Sequence, residues 1–259
     1  MTGAAHAGAL SGAGRAVWVV AAAGAVGLAV AAAPAGTFMA LIKWSPLILK
    51  GFAFNLLVSA LAMFSGTIAG AFLGLTQLAR SRALRRSGDG VVQFFRNAPW
   101  LVLLFYSIFL IPFEFRVFGL VLQFPAWLKA VIGLGLPVMA NVAEIVRGAV
   151  QSIATTQWEA AASLGLDRRQ VIWRVILPQC IKRMLPPWMN LYAIVTTASP
   201  LISIVGIEDG LTLTRAALSA EGRSELLLPF YMFLLLLFFI YCYPIATWTR
   251  RLEARYAVR

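Results

Sequence analysis

The residues that most enzymes depend on are nearly missing from this chain. Its 259 residues include one histidine, His6, two cysteines, four lysines and ten acids. There is no HExxH, no CxxC and no cluster of carboxylates to hold a catalytic metal. The many serines have no second histidine to serve as a base, so a Ser-His-Asp triad is excluded. No GxxxxGK[ST] loop is present, so ATP is not hydrolysed here by that route. Cys180 and Cys242 fall at the cytoplasmic face and inside the last apolar run, where neither suits an extracytoplasmic disulfide, and they read as small hydrophobes. No internal repeat is visible, which argues against a secondary transporter built from two related halves.

Charge is equally scarce. Only 12% of residues are charged and 61% are hydrophobic, against about a quarter and a half in an ordinary soluble domain. The apolar residues come in runs. Segments 16–42, 51–79, 97–113, 184–207 and 226–249 carry no charge, and 117–143 carries only Lys129. A bilayer core about 30 Å thick is crossed by about 20 helical residues, whereas barrel strands would alternate over about 10. The chain is therefore predicted to be an all-α polytopic membrane protein.

The net charge of +12 follows membrane topology. Arg15, the group Arg80–Arg96, the group Arg147–Arg183 and the group Arg250–Arg259 place sixteen basic residues on one side. Lys43, Lys50, Arg116, Lys129, Arg215 and Arg223 leave six on the other. By the positive-inside rule the richer side is cytoplasmic, and no nucleic-acid partner is implied. Lipid headgroups are a secondary partner of these charges.

The expected order is a first segment at 16–42, then spans at 51–79, 98–115, 126–147, 185–206 and 226–249. Residues 87–96 form a cytoplasmic link, 148–183 a polar cytoplasmic stretch and 207–225 a polar outer loop. The first segment also resembles a signal peptide, with small residues near Ala31–Ala35. Retention gives six spans with both termini inside; cleavage gives five.

The stretch 158–178, WEAAASLGLDRRQVIWRVILP, is the unusual one. Glu159-Ala160-Ala161-Ala162 favours a helix, Gly165 permits a bend with positive φ, and Asp167 can cap a second helix. Val171, Ile172 and Val175 can share one face of that helix, and Pro178 ends it or starts the next segment. Two readings of the pattern stay open: an interfacial helix anchored to lipid, or a docking surface for a protein partner.

The same residues carry a resemblance. Glu159-Ala160-Ala161, then Gly165, then Val175-x-Leu177-Pro178 is similar to the EAA signature of ABC importer permeases, with valine in place of isoleucine at 175. FFRNAPWLVLLFY (94–106), AEIVRGAVQSI (143–153) and LPQCIKRMLPPWMN (177–190) resemble segments of the polar amino-acid permeases, best those for histidine, basic amino acids and opines. Two departures occur. The family's RGTP reads Arg96-Asn97-Ala98-Pro99, and its K-D/N-T-S-L reads Thr197-Ala198-Ser199-Pro200-Leu201, which loses a charge.

The resemblance covers 50–258 and implies a MetI-like transmembrane domain of five helices. Residues 1–45 would form a tail and an extra helix, and the coupling loop would lie at 155–180. It further implies a pair of permease subunits, a dimer of ATPase subunits carrying ATP and Mg, and an extracytoplasmic solute-binding protein; no cofactor would reside in this chain. Glu159, Ala160, Ala161, Leu164, Gly165, Leu166 and Asp167 would couple it to the ATPase. Ala160, Ala161, Leu164 and Leu166 would supply the contact surface. Glu144, Asn141, Asn190, Thr197, Ser199 and Ser203 would line the substrate pathway. Glu144, the one acid in an expected span, can either meet a cationic substrate group or pair with Arg147 three residues on. Alternatives are a permease for another small solute, a self-contained transporter or channel, or a scaffolding protein.

Overall fold

The computed structural model describes residues 36–117 and 120–256. His6, Arg15 and the first hydrophobic segment up to residue 35 lie outside the described residues, and with them the choice between retention and cleavage.

Helix α1, Thr37–Gln77, is 41 residues long. At 1.5 Å per residue it reaches about 60 Å, twice the hydrocarbon thickness. Residues 43–50, between the first two expected segments, are helical despite Lys43, Lys50 and Pro46, so the second span begins earlier than 51. Pro46 has no N–H for the Ile42 carbonyl, and the Ser45 hydroxyl donates to that oxygen instead, at 3.0 Å. Toward its other end α1 presents Gly66, Gly70 and Gly74 to helix α4, Ala126–Gln151. A Cβ at these positions would lie 2.5–2.9 Å from Val138, the Met139 carbonyl and Val146. The two helices therefore touch backbone to side chain, as the four-residue glycine spacing predicts.

Helix α2, Arg82–Asn97, replaces the expected link at 87–96. Its basic residues are exposed while Gly88 and Val92 are buried. Pro99 holds Ala98 extended, so the chain turns 103° into α3, Trp100–Leu110. The expected span at 98–115 is corrected here. Pro112 leaves Ile111 extended at the end of α3, and the chain enters an antiparallel hairpin, β1 (Glu114–Val117) with β2 (Leu120–Gln123).

Lys129, one turn into α4, is fully buried. Its ammonium donates to the carbonyls of Ile111 at 2.6 Å and Ile108 at 3.3 Å and sits 3.1 Å from the centroid of the Phe113 ring. A lysine thus satisfies the last carbonyls of α3, which have no intrahelical partner.

Beyond α4 lie α5 (Thr155–Ser163), α6 (Arg168–Val205), α7 (Gly210–Glu221) and α8 (Leu227–Tyr256). Helix α7 corrects the outer loop expected at 207–225, because Asp209 caps it through the Thr212 N–H at 2.8 Å. Helix α6 corrects the break expected near Pro178, since one helix joins the polar stretch to the fifth span. Among the described residues four helices are long and apolar enough to cross a membrane, or five if α2 and α3 form one bent span. The central core gathers α1, α3, α4 and α6, and a second cluster joins α1, α7 and α8.

Candidate functional site

The loop between α4 and α6 is built from two capping motifs back to back. Helix α5 ends where Gly165 adopts φ +76°. The Gly165 N–H donates to the Ala162 carbonyl at 2.9 Å, and the Leu166 N–H donates to the Ala161 carbonyl at 3.4 Å. This is a Schellman ending, which needs a left-handed residue at its centre. A Cβ at Gly165 would meet nothing within 4 Å, so conformation rather than space requires glycine there. Ala161 and Leu166, joined by that second bond, both belong to the cluster beneath the loop. The spacing Glu-Ala-Ala-x-x-x-Gly is therefore the spacing of a helix end locked onto its own support.

Two residues later Asp167 starts α6. Its carboxylate accepts the Gln170 N–H at 2.8 Å, and the Asp167 N–H donates to the Gln170 side chain at 3.0 Å. This reciprocal capping box satisfies donors left open at the helix start. A π-helical stretch follows at Val171–Ile176, with the Leu177 N–H donating to the Ile172 carbonyl five residues back. Pro178 accounts for the widened register, because it removes the N–H that the Arg174 carbonyl would have taken.

Two arginines absent from the sequence-based candidates tie the loop to the spans. Arg183 donates to the Ser152 carbonyl at 2.6 Å and its hydroxyl at 2.8 Å, at the end of α4. Arg168 donates to the Leu78 carbonyl at 3.2 Å, at the end of α1. Both cations meet carbonyls at helix C-termini, where partial negative charge accumulates. Their signal in the sequence is weak, since nothing marks these arginines apart from their neighbours.

The expected loop residues divide by direction. Glu159, Ala160 and Gly165 are exposed, and Leu164 is 80% exposed. The Glu159 carboxylate has no hydrogen-bond or ion-pair partner among the described residues. Ala161 is 3% exposed and Leu166 packs beside it. Ala161 faces the cluster beneath the bend, and Leu166 is half-buried against it. Asp167 is engaged as a cap.

The expected pathway residues also separate. Glu144 is gripped by Arg147, whose Nε lies 3.0 Å from it, and by Arg96 at 3.7 Å. Of the two readings offered for Glu144, the arginine pair is formed, and Arg96 joins it from α2. Asn141 donates to the Pro137 carbonyl of its own helix at 2.8 Å. Ser199 and Ser203 are buried and donate to Thr196 and Pro200 carbonyls. Their hydroxyl protons are engaged by carbonyls of α6 itself. Asn190 and Thr197 are exposed on one face of α6.

The sequence reading missed a buried polar site at the end of the bundle away from the arginine-rich loop. Asp209 and Asn55 are both fully buried. Asn55 donates to Asp209 at 3.1 Å and accepts the Gly210 N–H at 2.8 Å. A Cβ at Gly51 would lie 2.7 Å from the Gly210 Cα, so α1 and the start of α7 meet backbone to backbone. Among the described residues no group of three or more His, Cys, Asp or Glu comes together to hold a metal.

Residues 66–258 match the family described as "Binding-protein-dependent transport system inner membrane component". "Probable amino-acid ABC transporter permease protein YckA" of Bacillus subtilis (strain 168) is 34% identical over 83% of this chain and 92% of its own length. "Probable glutamine ABC transporter permease protein GlnM" of the same organism is 28% identical over 80% of this chain and 92% of its own length. The crystal structure of an amino acid ABC transporter with histidines superposes with a TM-score of 0.73 at 26% identity, covering 84% of this chain and 98% of that one.

Proposed function

The chain belongs to the binding-protein-dependent transport system inner membrane components, as a multi-pass ABC importer permease subunit, and from that premise we propose that it carries a polar amino acid or amino-acid derivative. The amino-acid permeases among its relatives support this substrate class. The family implies an ATPase partner and a permease partner. We assign ATP and Mg to a separate ATPase dimer, and delivery of the solute to an extracytoplasmic binding protein. The charge asymmetry supports a cytoplasmic C-terminus.

The observation that carries the coupling role is the rigid loop. Glu159 and Leu164 stand free on a helix end that is locked at Gly165 and tied by Arg168 and Arg183 to α1 and α4. An ATPase that grips those two side chains would move the loop and the ends of both spans as one body. Within the spans, the exposed face of α6 bearing Asn190 and Thr197 is the lining offered to a polar solute. Glu144 with Arg96 and Arg147 is a clasp holding α2 to α4.

The test is Gly165→Asp in the reconstituted transporter, which displaces no neighbour but sets a carboxylate on the exposed face offered to the ATPase. ATP-driven uptake should fall to background while the protein inserts normally. Uptake at the original level, with ATP hydrolysis still tied to transport, overturns the reading. Uptake that persists without any ATPase would favour a self-contained transporter.

A further inference from the structure

Two adjoining cavities lie at the arginine-rich end of the bundle. One, about 540 Å³, opens between the end of α1 and the start of α6, and Arg80, Arg168 and Arg169 line it. Asp167 is the single acid on its wall, with one carboxylate oxygen already holding the Gln170 N–H. Three positive charges less one negative leave a net charge of two. The other cavity, about 440 Å³, is a groove walled by α1, α4 and α6 that presents only apolar surface. Of its polar groups Thr67 and Trp188 satisfy each other, the Trp188 indole N–H donating to the Thr67 hydroxyl at 2.9 Å, and the indole of Trp173 stands at the border with the basic pocket. Leu75 and Trp173 line both cavities, so the basic pocket and the apolar groove form one amphiphilic channel. A polar solute has nothing to bind in such a groove.

We infer that this channel is a binding site for an anionic phospholipid, with the phosphate among Arg80, Arg168 and Arg169 and an acyl chain along the groove past Trp173. The charge pattern matches the phosphate. The uninterrupted apolar wall matches the chain, which a soluble phosphate lacks. Basic pockets between spans at the cytoplasmic surface are suited to such headgroups. Trp173 has the amphipathic ring that favours the level between headgroup and chain. The site touches the coupling loop directly, because Arg168 both lines the pocket and bonds the Leu78 carbonyl. A bound lipid would brace the joint through which the loop moves the spans.

The experiment uses the assembled permease–ATPase complex in mixed nanodiscs and in delipidating detergent. Native mass spectrometry counts the phosphatidylglycerol and phosphatidylethanolamine retained. The wild-type complex should keep phosphatidylglycerol. Arg80→Gln with Arg169→Gln should weaken its retention roughly thirtyfold, each charge contributing about fivefold near an anionic surface. Ala71→Phe, which fills the groove and leaves the arginines, should also expel the lipid without reducing binding of inorganic phosphate. Equal retention of both lipids, or retention unchanged by either change, overturns the proposal. Loss of the ATPase subunit from the arginine variant, with lipid still bound, overturns it in favour of a protein contact. Displacement of the lipid by inorganic phosphate alone, with no effect of Ala71→Phe, overturns it in favour of a phosphate site.

Discussion

At the scale of single residues, backbone conformation decides more than contact does. Gly165 has open space around it and is held to glycine by φ +76° alone. Gly165→Ala should therefore cost about 1–2 kcal/mol in the loop and lower uptake, while Gly165→Asn, which tolerates the left-handed region, should be milder. Uptake rates of the two variants, normalised to inserted protein, check the order. Glu221 is the converse, a residue whose contacts decide its behaviour. It accepts hydrogen bonds from Lys43 at 2.6 Å and Trp44 at 2.7 Å, and Lys43 first and Trp44 second hold its carboxyl below the usual carboxylate range. A lowered native value means that the α1–α7 clasp contributes fully above the ordinary carboxylate pKa. The contribution is lost as pH falls through the lowered value. Thermal unfolding across that acidic window should show a pH-dependent decline in the wild type that is smaller in Glu221→Gln.

At the scale of elements, the proposed coupling loop can act as a lever only if its ends are fixed. Arg183 makes two hydrogen bonds to Ser152, and these join α6 to the end of α4. Arg183→Gln should leave Glu159 and Leu164 in place but loosen the joint. ATP hydrolysis should then continue in the assembled transporter while uptake falls, a partial uncoupling measured as the ratio of the two rates. An unchanged ratio would mean that the joint carries no force. The helix–bend–helix of this loop was legible in the sequence because caps are local: Gly165 and Asp167 announce themselves by residue type and spacing. The π-helical stretch was not legible. Pro178 marks a missing donor, but whether a helix ends there or widens depends on what supports the turn. The residues beneath it, Ile176 and Cys180 among them, come together only in the fold.

At the scale of the whole molecule, the glycine face of α1 sets how closely the two central helices approach. Gly70→Val would place its Cβ 2.5 Å from the Met139 carbonyl, an oxygen that cannot move aside. This variant should fail to give a monodisperse protein in detergent or melt well below the wild type. Gly148→Ala, with nothing within 4 Å of its Cβ, should stay near neutral or gain up to about 1 kcal/mol from helix propensity. Size-exclusion profiles and melting temperatures separate the two outcomes. If both behave alike, close packing is not what the glycines provide.

What the sequence determined by itself was the part governed by solvent and by neighbours along the chain. Long uncharged runs dictate membrane helices, and the Glu-Ala-Ala-x-x-x-Gly spacing dictates a locked helix end and points to the family. Tertiary structure decided which polar groups are used up and which remain available. Glu144 is claimed by an arginine 48 residues away as well as by its neighbour, and Lys129 by carbonyls of the preceding helix. Asp209 is claimed by an asparagine 154 residues away. Such partners are brought together by packing between distant helices, and no local pattern specifies them. The same holds for the channel at Trp173, whose arginines and apolar wall come from helices far apart in the chain.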